Sequence, residues 1–164
     1  MLESAKNDHL TKLDGISQLQ AQMTFRFSVL AKLLDRQMAA IARDHDLSLI
    51  GYRALVTIDA FGSVSAADLC RYTAYDKAAV SRVLTELQSA RLIEIHADPK
   101  HRRRKLLTIT ALGLDRINAA RPAVDARRAA LSAALSPEDE AVFLRVIDRL
   151  AAHVDQTLAT PEKD

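Results

Sequence analysis

Ser63–Ile93 reads SVSAADLCRYTAYDKAAVSRVLTELQSARLI, and two helix starts lie close together in it. Ser65 followed three residues later by Asp68 has the spacing of a capping box, in which each side chain satisfies a backbone N–H of the other residue. Asp is shorter than the Glu usual at that place. The helix it opens is short, about Ala66 to Tyr72. Asp76 is placed to cap the next helix, whose apolar stripe is Val80, Val83, Leu84 and Leu87. The opposite face carries Lys77, Ser81, Arg82, Thr85 and Gln88. Only a few residues separate the two helices, which is the spacing of a helix-turn-helix.

The next stretch, Ile93–Thr110, reads IEIHADPKHRRRKLLTIT. Ile93 and Ile95 point to one face of a strand and Glu94 and His96 to the other. Leu107 and Ile109 repeat the pattern on a return strand. ADPKHRRR is the expected connecting loop, with Pro99 stopping the first strand. Five of the six residues from Lys100 to Lys105 are Lys or Arg, so the tip of the hairpin is expected to be strongly cationic. A helix-turn-helix followed by a hairpin is a winged helix. Its second helix can offer polar side chains to a major groove, where base edges are distinguishable. Its cationic tip can reach the neighbouring minor groove, whose narrow A·T-rich form concentrates negative potential. Water and salt screen the mutual repulsion of the arginines in the free protein.

Long helices are expected on both sides. Upstream, Phe25, Val29, Leu33 (with Leu30 and Leu34), Met38 and Ile41 recur at three- and four-residue steps, roughly from Leu19 to His45. Ser48 is placed to cap a helix through Ile50, Leu55, Val56 and Ile58 that stops at Gly62. Downstream, an Ala- and Arg-rich helix begins near Gly113 and is expected to be interrupted near Pro122. SPEDE at 136–140 is a helix start with Ser136 as cap, Pro137 next and acids in the first turn. The helix that follows carries Val142, Phe143, Val146, Ile147, Leu150, Val154 and Leu158. The first and last stripes exceed what a domain of about 65 residues can cover by itself, which implies self-association.

Composition narrows the class. The 164 residues are 49% hydrophobic, with only four Gly, four Pro and no Trp, so the chain leans towards helix. No apolar run approaches the roughly 20 residues that cross a bilayer, and no signal peptide is expected at the polar N-terminus. A single cysteine, Cys70, fits a reducing compartment, and a cytoplasmic location is expected. Net charge is only +2, yet Arg71–Lys105 holds nine Lys/Arg against four acids. That asymmetry points to a polyanionic partner for the middle of the chain. Gly-rich phosphate loops and the Cys-x-x-Cys, His-Glu-x-x-His and Gly-x-Ser-x-Gly motifs are absent, so no enzyme, cofactor or metal is expected. The scattered histidines include Asp44-His45-Asp46, read as a polar helix end.

From Leu47 to Gly113 the chain resembles the MarR family of winged-helix transcription regulators. DLSLIGYRALVTI, VSAADLCRYTAYDKAAVSRVLTELQSARLI and DPKHRRRKLLTITALG carry the likeness. The last is similar to the family's wing signature, an Asp-Arg-Arg segment with a Leu-Thr-x-x-Gly ending, here Ile109-Thr110-Ala111-Leu112-Gly113. The layout of the flanking helices matches as well. One departure stands out. His101 occupies the place of an Asp that in the family orients the arginine two residues on, here Arg103. Either Asp98 substitutes for it or the wing is looser.

The expected architecture is therefore mainly α (α+β): a winged helix-turn-helix with a helical dimerisation region formed by the N- and C-terminal helices. The expected divisions are a flexible arm at 1–17, a dimerisation helix at 18–46, the DNA-binding domain at 47–110, dimerisation helices at 111–158 and a flexible tail at 159–164. The resemblance implies an obligate homodimer on double-stranded DNA with a pseudo-palindromic operator, two reading helices about 34 Å apart. It implies a repressor released by a small, often phenolic or aromatic acid, effector. A constitutive regulator without ligand response and a winged-helix protein-interaction module are the alternatives. The candidate DNA-binding residues are Ser65, Lys77, Ala78, Ser81, Arg82, Lys100, Arg102, Arg103 and Arg104. The candidate effector pocket is Tyr52, Phe61, Tyr72 and Tyr75, for which core packing is the competing reading. Cys70 is expected to pack rather than to sense oxidants.

Overall fold

The computed structural model describes residues 18–159. The expected arm at 1–17, and the tail from residue 160 on, lie outside the described residues. Eight elements follow one another: α1 (Met23–Arg43), α2 (Leu49–Phe61), α3 (Ala66–Thr73), α4 (Lys77–Ser89), β1 (Ile93–Asp98), β2 (His101–Ile109), α5 (Ala111–Ser132) and α6 (Pro137–Ala159). The fold is mostly helical with one two-stranded antiparallel sheet. It divides by packing into two units, one up to Ala120 and one from Arg121.

Local side chains set most of the helix ends in the first unit. The Ser48 hydroxyl accepts from Gly51 N at 3.0 Å and opens α2. Gly62 closes that helix at φ 72°, a left-handed conformation that costs glycine nothing. The Ser65–Asp68 capping box forms with both of its hydrogen bonds, and Asp76 accepts from Ala79 N at 2.8 Å. Residues 18–21 are helical as well, but Gln22 is extended (ψ 124°) and interrupts the run, so the long helix α1 starts at Met23.

The core is built where α2, α3, α4 and the sheet meet. Leu55, Ile58, Leu69, Ile93 and Leu107 have almost no exposed surface, and Val80, Val83, Leu84, Leu87, Leu92 and Ile117 close around them. Val64, between α2 and α3, exchanges two backbone hydrogen bonds with Leu107 (2.8 and 3.2 Å). The root of the wing is thereby sewn to the helix-turn-helix. At the far end of β2, Thr110 donates its N–H to Leu92 O and its hydroxyl to Arg91 O, and accepts from Gly113 N. Gly113 lies so close to this crossing that a Cβ there would stand 2.3 Å from Leu92 O.

Two expectations change. The arginines are not in a loop: β1 ends at Asp98, the turn is only Pro99-Lys100, and β2 starts at His101. The strands can pair that far because a register shift between Ala97 and Asp98 absorbs the extra residues. Nor does the helix stop near Pro122, since α5 runs through it to Ser132. A proline removes one N–H bond and usually bends a helix rather than ending it, and here the Ala/Arg-rich flanks favour continuation. In the second unit, Asp139 N donates to Ser136 Oγ at 3.1 Å, as the cap reading requires, and Ser132 Oγ donates to Glu140 at 2.7 Å.

Candidate nucleic-acid interface

Helix α4 buries Ala79, Val80, Val83, Leu84 and Leu87, and this turns Lys77, Ala78, Ser81 and Arg82 to the surface. The exposed face is polar and unobstructed within its own unit. Its one acid is Glu86. All four candidates on this helix therefore share one accessible face.

Beside it, a groove of about 720 Å³ runs between the start of α3 and the wing. Arg71, His101, Arg103 and Lys105 line it as cations or a titratable ring, and all four are exposed. The side chain of Lys100 is exposed at the turn, where its backbone N–H donates to Asp98 Oδ1 at 2.8 Å. The Arg102 side chain lies outside the described part of the structure.

Arg104 and Ser65 line the same groove, but their side chains are held by Asp68. Arg104 Nη2 donates to Asp68 Oδ2 at 2.6 Å, and its Nε stands 3.8 Å from Asp98 Oδ2. Ser65 is buried, and its hydroxyl and N–H both donate to Asp68 Oδ2 (2.7 and 2.9 Å). These bonds hold the Asp68 carboxyl well below the usual carboxylate range, at about 2, Ser65 contributing most and the Arg104 guanidinium adding to it. Asp98 sits beside the wing turn, at the end of β1, and its carboxylate faces Arg104 rather than Arg103.

A second constellation lies on the other side of α2. Arg53 donates to Asp35 of α1 at 2.6 Å and to the Tyr75 hydroxyl at 2.5 Å, with its guanidinium 5.9 Å from the Tyr75 ring centre. Partial burial works against the Arg53 charge, but the bonds to Tyr75 and Asp35 outweigh it and raise the pKa above the ordinary value. One guanidinium thus links α1, α2 and the turn that precedes α4. Tyr52 and Tyr72 line a small groove of about 260 Å³ with Arg53, Val56 and Thr57. Phe61 stacks on Tyr72 at 4.5 Å between ring centres, and both rings are more than half exposed. Tyr75 is half-buried against the core and is occupied by Arg53.

Sequence reasoning missed Asp35, Arg53, Asp68 as a wing partner, and Arg71. A lone Arg within the otherwise apolar LIGYRALVTI was a readable signal for Arg53. Nothing local announces Arg71 or the pairing of Asp68 with a residue 36 positions away. Cys70 is half-buried and packs against the core. Asp44-His45-Asp46 is a helix end: Arg116 donates to Asp46 Oδ2 at 2.7 Å and to His45 O at 3.1 Å. Among the described residues, no group of three or more His, Cys, Asp or Glu is placed to hold a metal ion. No helix among them is long and apolar enough to cross a membrane.

The sequence profile of the MarR family matches residues 45–104, the segment that holds α2 to α4, β1 and the start of β2. Residues 45–104 are a MarR-family domain. The MarR-type winged helix also extends to the solved structures that this chain is similar to. AbsC, a MarR family transcriptional regulator from Streptomyces coelicolor, superposes with a TM-score of 0.75 at 23% identity, over 84% of this chain and 95% of that one. A probable transcriptional regulator from Pseudomonas aeruginosa gives 0.66 at 27% identity, over 80% and 98%. The S. aureus MepR–DNA complex gives 0.73 at 18% identity, again over 80% and 98%. No curated protein sequence matches. The MarR family and fold are those of regulators rather than of enzymes.

Proposed function

We propose that this chain is a homodimeric, sequence-specific DNA-binding transcriptional regulator of the MarR type, a repressor whose grip on DNA a small aromatic acid relaxes. The observation that carries the reading is the pairing of surfaces in the first unit. A polar, unobstructed α4 face lies beside a groove lined by Arg71, Arg103 and Lys105. Lys77, Ser81 and Arg82 suit base edges and phosphates, Ala78 suits a thymine methyl, and the exposed wing cations suit the phosphate backbone and minor groove. MepR, which shares the fold, has been solved on DNA.

Two further features support the finer parts. Helix α1 exposes Phe25, Val29, Leu30 and Leu33, and α6 exposes Val142, Phe143, Val146 and Val154, so each unit offers an apolar helical face to a second copy. The Tyr52–Tyr72 groove places aromatic rings beside the Arg53 guanidinium, a suitable seat for an aromatic carboxylate. A ligand that drew Arg53 away from Asp35 and Tyr75 would uncouple α1 from the turn before α4. A coupling of about 1–3 kcal/mol is enough for a useful switch.

The test is a titration of the duplex upstream of the chain's own gene, followed by fluorescence anisotropy at 50 to 300 mM salt. A plot of log K against log[salt] is expected to fall by about 0.9 per phosphate contact, and Arg103→Ala and Lys105→Ala to flatten it by about one contact each. A horizontal plot for the unmodified chain would sink the DNA-binding assignment. Salicylate, added to the same complex, is expected to lower K for the unmodified chain and to have much less effect on Arg53→Gln.

A further inference from the structure

The described cations of the wing are all exposed, but they are not all equally engaged. Between Ala97 and Asp98 the strand register shifts by three residues, and the residues of β2 left without a partner are Arg102, Arg103 and Arg104. A bulge redirects side chains and bends its strand. Both Arg103 and Arg104 are exposed along the groove, but Arg104 is paired with Asp68 at 2.6 Å and stands 3.8 Å from Asp98. Each of those carboxylates already organises backbone. Asp68 holds the N-terminus of α3 through Ser65, and Asp98 holds the wing turn through Lys100 N. We infer that Arg104 is a positioning residue and not a DNA contact: it ties the wing turn to the start of α3 and so fixes how far the wing stands from α4. The inference rests on the DNA-binding reading above.

The charge balance points the same way. One guanidinium lies within 4 Å of two carboxylates, so it has little positive charge left over for phosphate. Reaching two carboxylates from two different nitrogens uses the planar guanidinium fork, which a lysine ammonium lacks. A tie of this kind lets Arg103 and Lys105 point outward without the wing swinging. It serves where His101 stands in the place of the family's orienting Asp.

The two roles for Arg104 predict opposite signs at Asp68. If Arg104 grips phosphate, removing the nearby negative charge with Asp68→Asn frees it and tightens binding. If Arg104 positions the wing, Asp68→Asn weakens binding. The experiment measures K for the same duplex from 50 to 300 mM salt with the full chain and its Arg104→Ala, Arg104→Lys, Asp68→Asn and Arg104→Ala/Asp68→Asn variants. Circular dichroism and thermal unfolding confirm that each is folded.

Arg104→Ala and Asp68→Asn are each expected to lose about tenfold in K with the salt slope of the unmodified chain, and the double variant little more than either. Arg104→Lys, which keeps the charge, is expected to recover little. Tighter binding by Asp68→Asn, a shallower slope for Arg104→Ala, or full recovery by Arg104→Lys would each overturn the positioning role. If the unmodified chain binds no DNA, the functional reading fails instead. The tie itself is then still read in the non-additive thermal shifts of the Arg104/Asp68 pair, and additive shifts would overturn it.

Discussion

The apolar stripe of α2 and the apolar stripe of α1 follow the same helical period, yet they end in opposite states. Leu55 and Ile58 are completely buried, while Val29 and Leu33 remain 41% and 49% exposed. Periodicity reports that a helix has an apolar face. It does not report whether that face is covered by the same polypeptide. The α2 stripe meets α4 and the wing within its own unit, as does the end of α1 at Met38 and Ala42, and the Phe25–Leu33 part of the α1 face is left for another molecule, which the proposed dimer supplies.

Substitutions separate the two cases. Leu55→Ala removes side-chain atoms from a sealed core and is expected to cost about 3–4 kcal/mol, independent of protein concentration in urea unfolding. Gly113→Ala tests the sealed side in another way. Its Cβ would meet a carbonyl oxygen of the backbone, which has no rotamer to yield, and a loss of about 2–3 kcal/mol is expected in the same assay. Val29→Asp tests the open side. It is expected to weaken self-association by about 2 kcal/mol in sedimentation equilibrium while leaving the unfolding of the dilute chain almost unchanged. A Val29→Asp penalty as large as that of Leu55→Ala at high dilution would mean that the α1 face is covered within one chain.

The smallest expected effect is acid-dependent and concerns the α3–wing tie. The Asp68 carboxyl is lowered from 3.8 to about 2 in the folded protein, so the unfolded chain takes up its proton first. Its contribution to stability is therefore fully present above pH 3.8 and is lost as pH falls through about 2. Urea unfolding at pH 5, 4, 3 and 2 is expected to show a gap between the unmodified chain and Asp68→Asn that is constant down to pH 4 and closes below it. A gap that persists unchanged at pH 2 would assign the stabilisation to something other than this carboxylate's charge.

Several elements were legible before any coordinates. Ser48, Gly62, Ser65, Asp76 and Ser136 each marked a helix end that the structure keeps, and Val80, Val83, Leu84 and Leu87 marked the buried side of α4. Because α4 has only one other side, Lys77, Ala78, Ser81 and Arg82 had to be exposed. The wing was legible as a hairpin but not in its detail. The sequence offers a run of three arginines, and which of them is paired depends on Asp68, which belongs to another element.

The sequence alone therefore determined the capped helix ends at Ser48, Gly62, Ser65, Asp76 and Ser136, the periods of the apolar faces and the concentration of charge in the middle of the chain. These depend on residues within a turn or two of one another, where hydrogen-bond geometry and side-chain spacing act directly. The tertiary structure decided which arginine is a tie and which is free. It also decided that Arg53 joins Asp35 to Tyr75, and that Gly113 must have no side chain beside Leu92 O. Those outcomes follow from distances between segments that meet only after the core has closed.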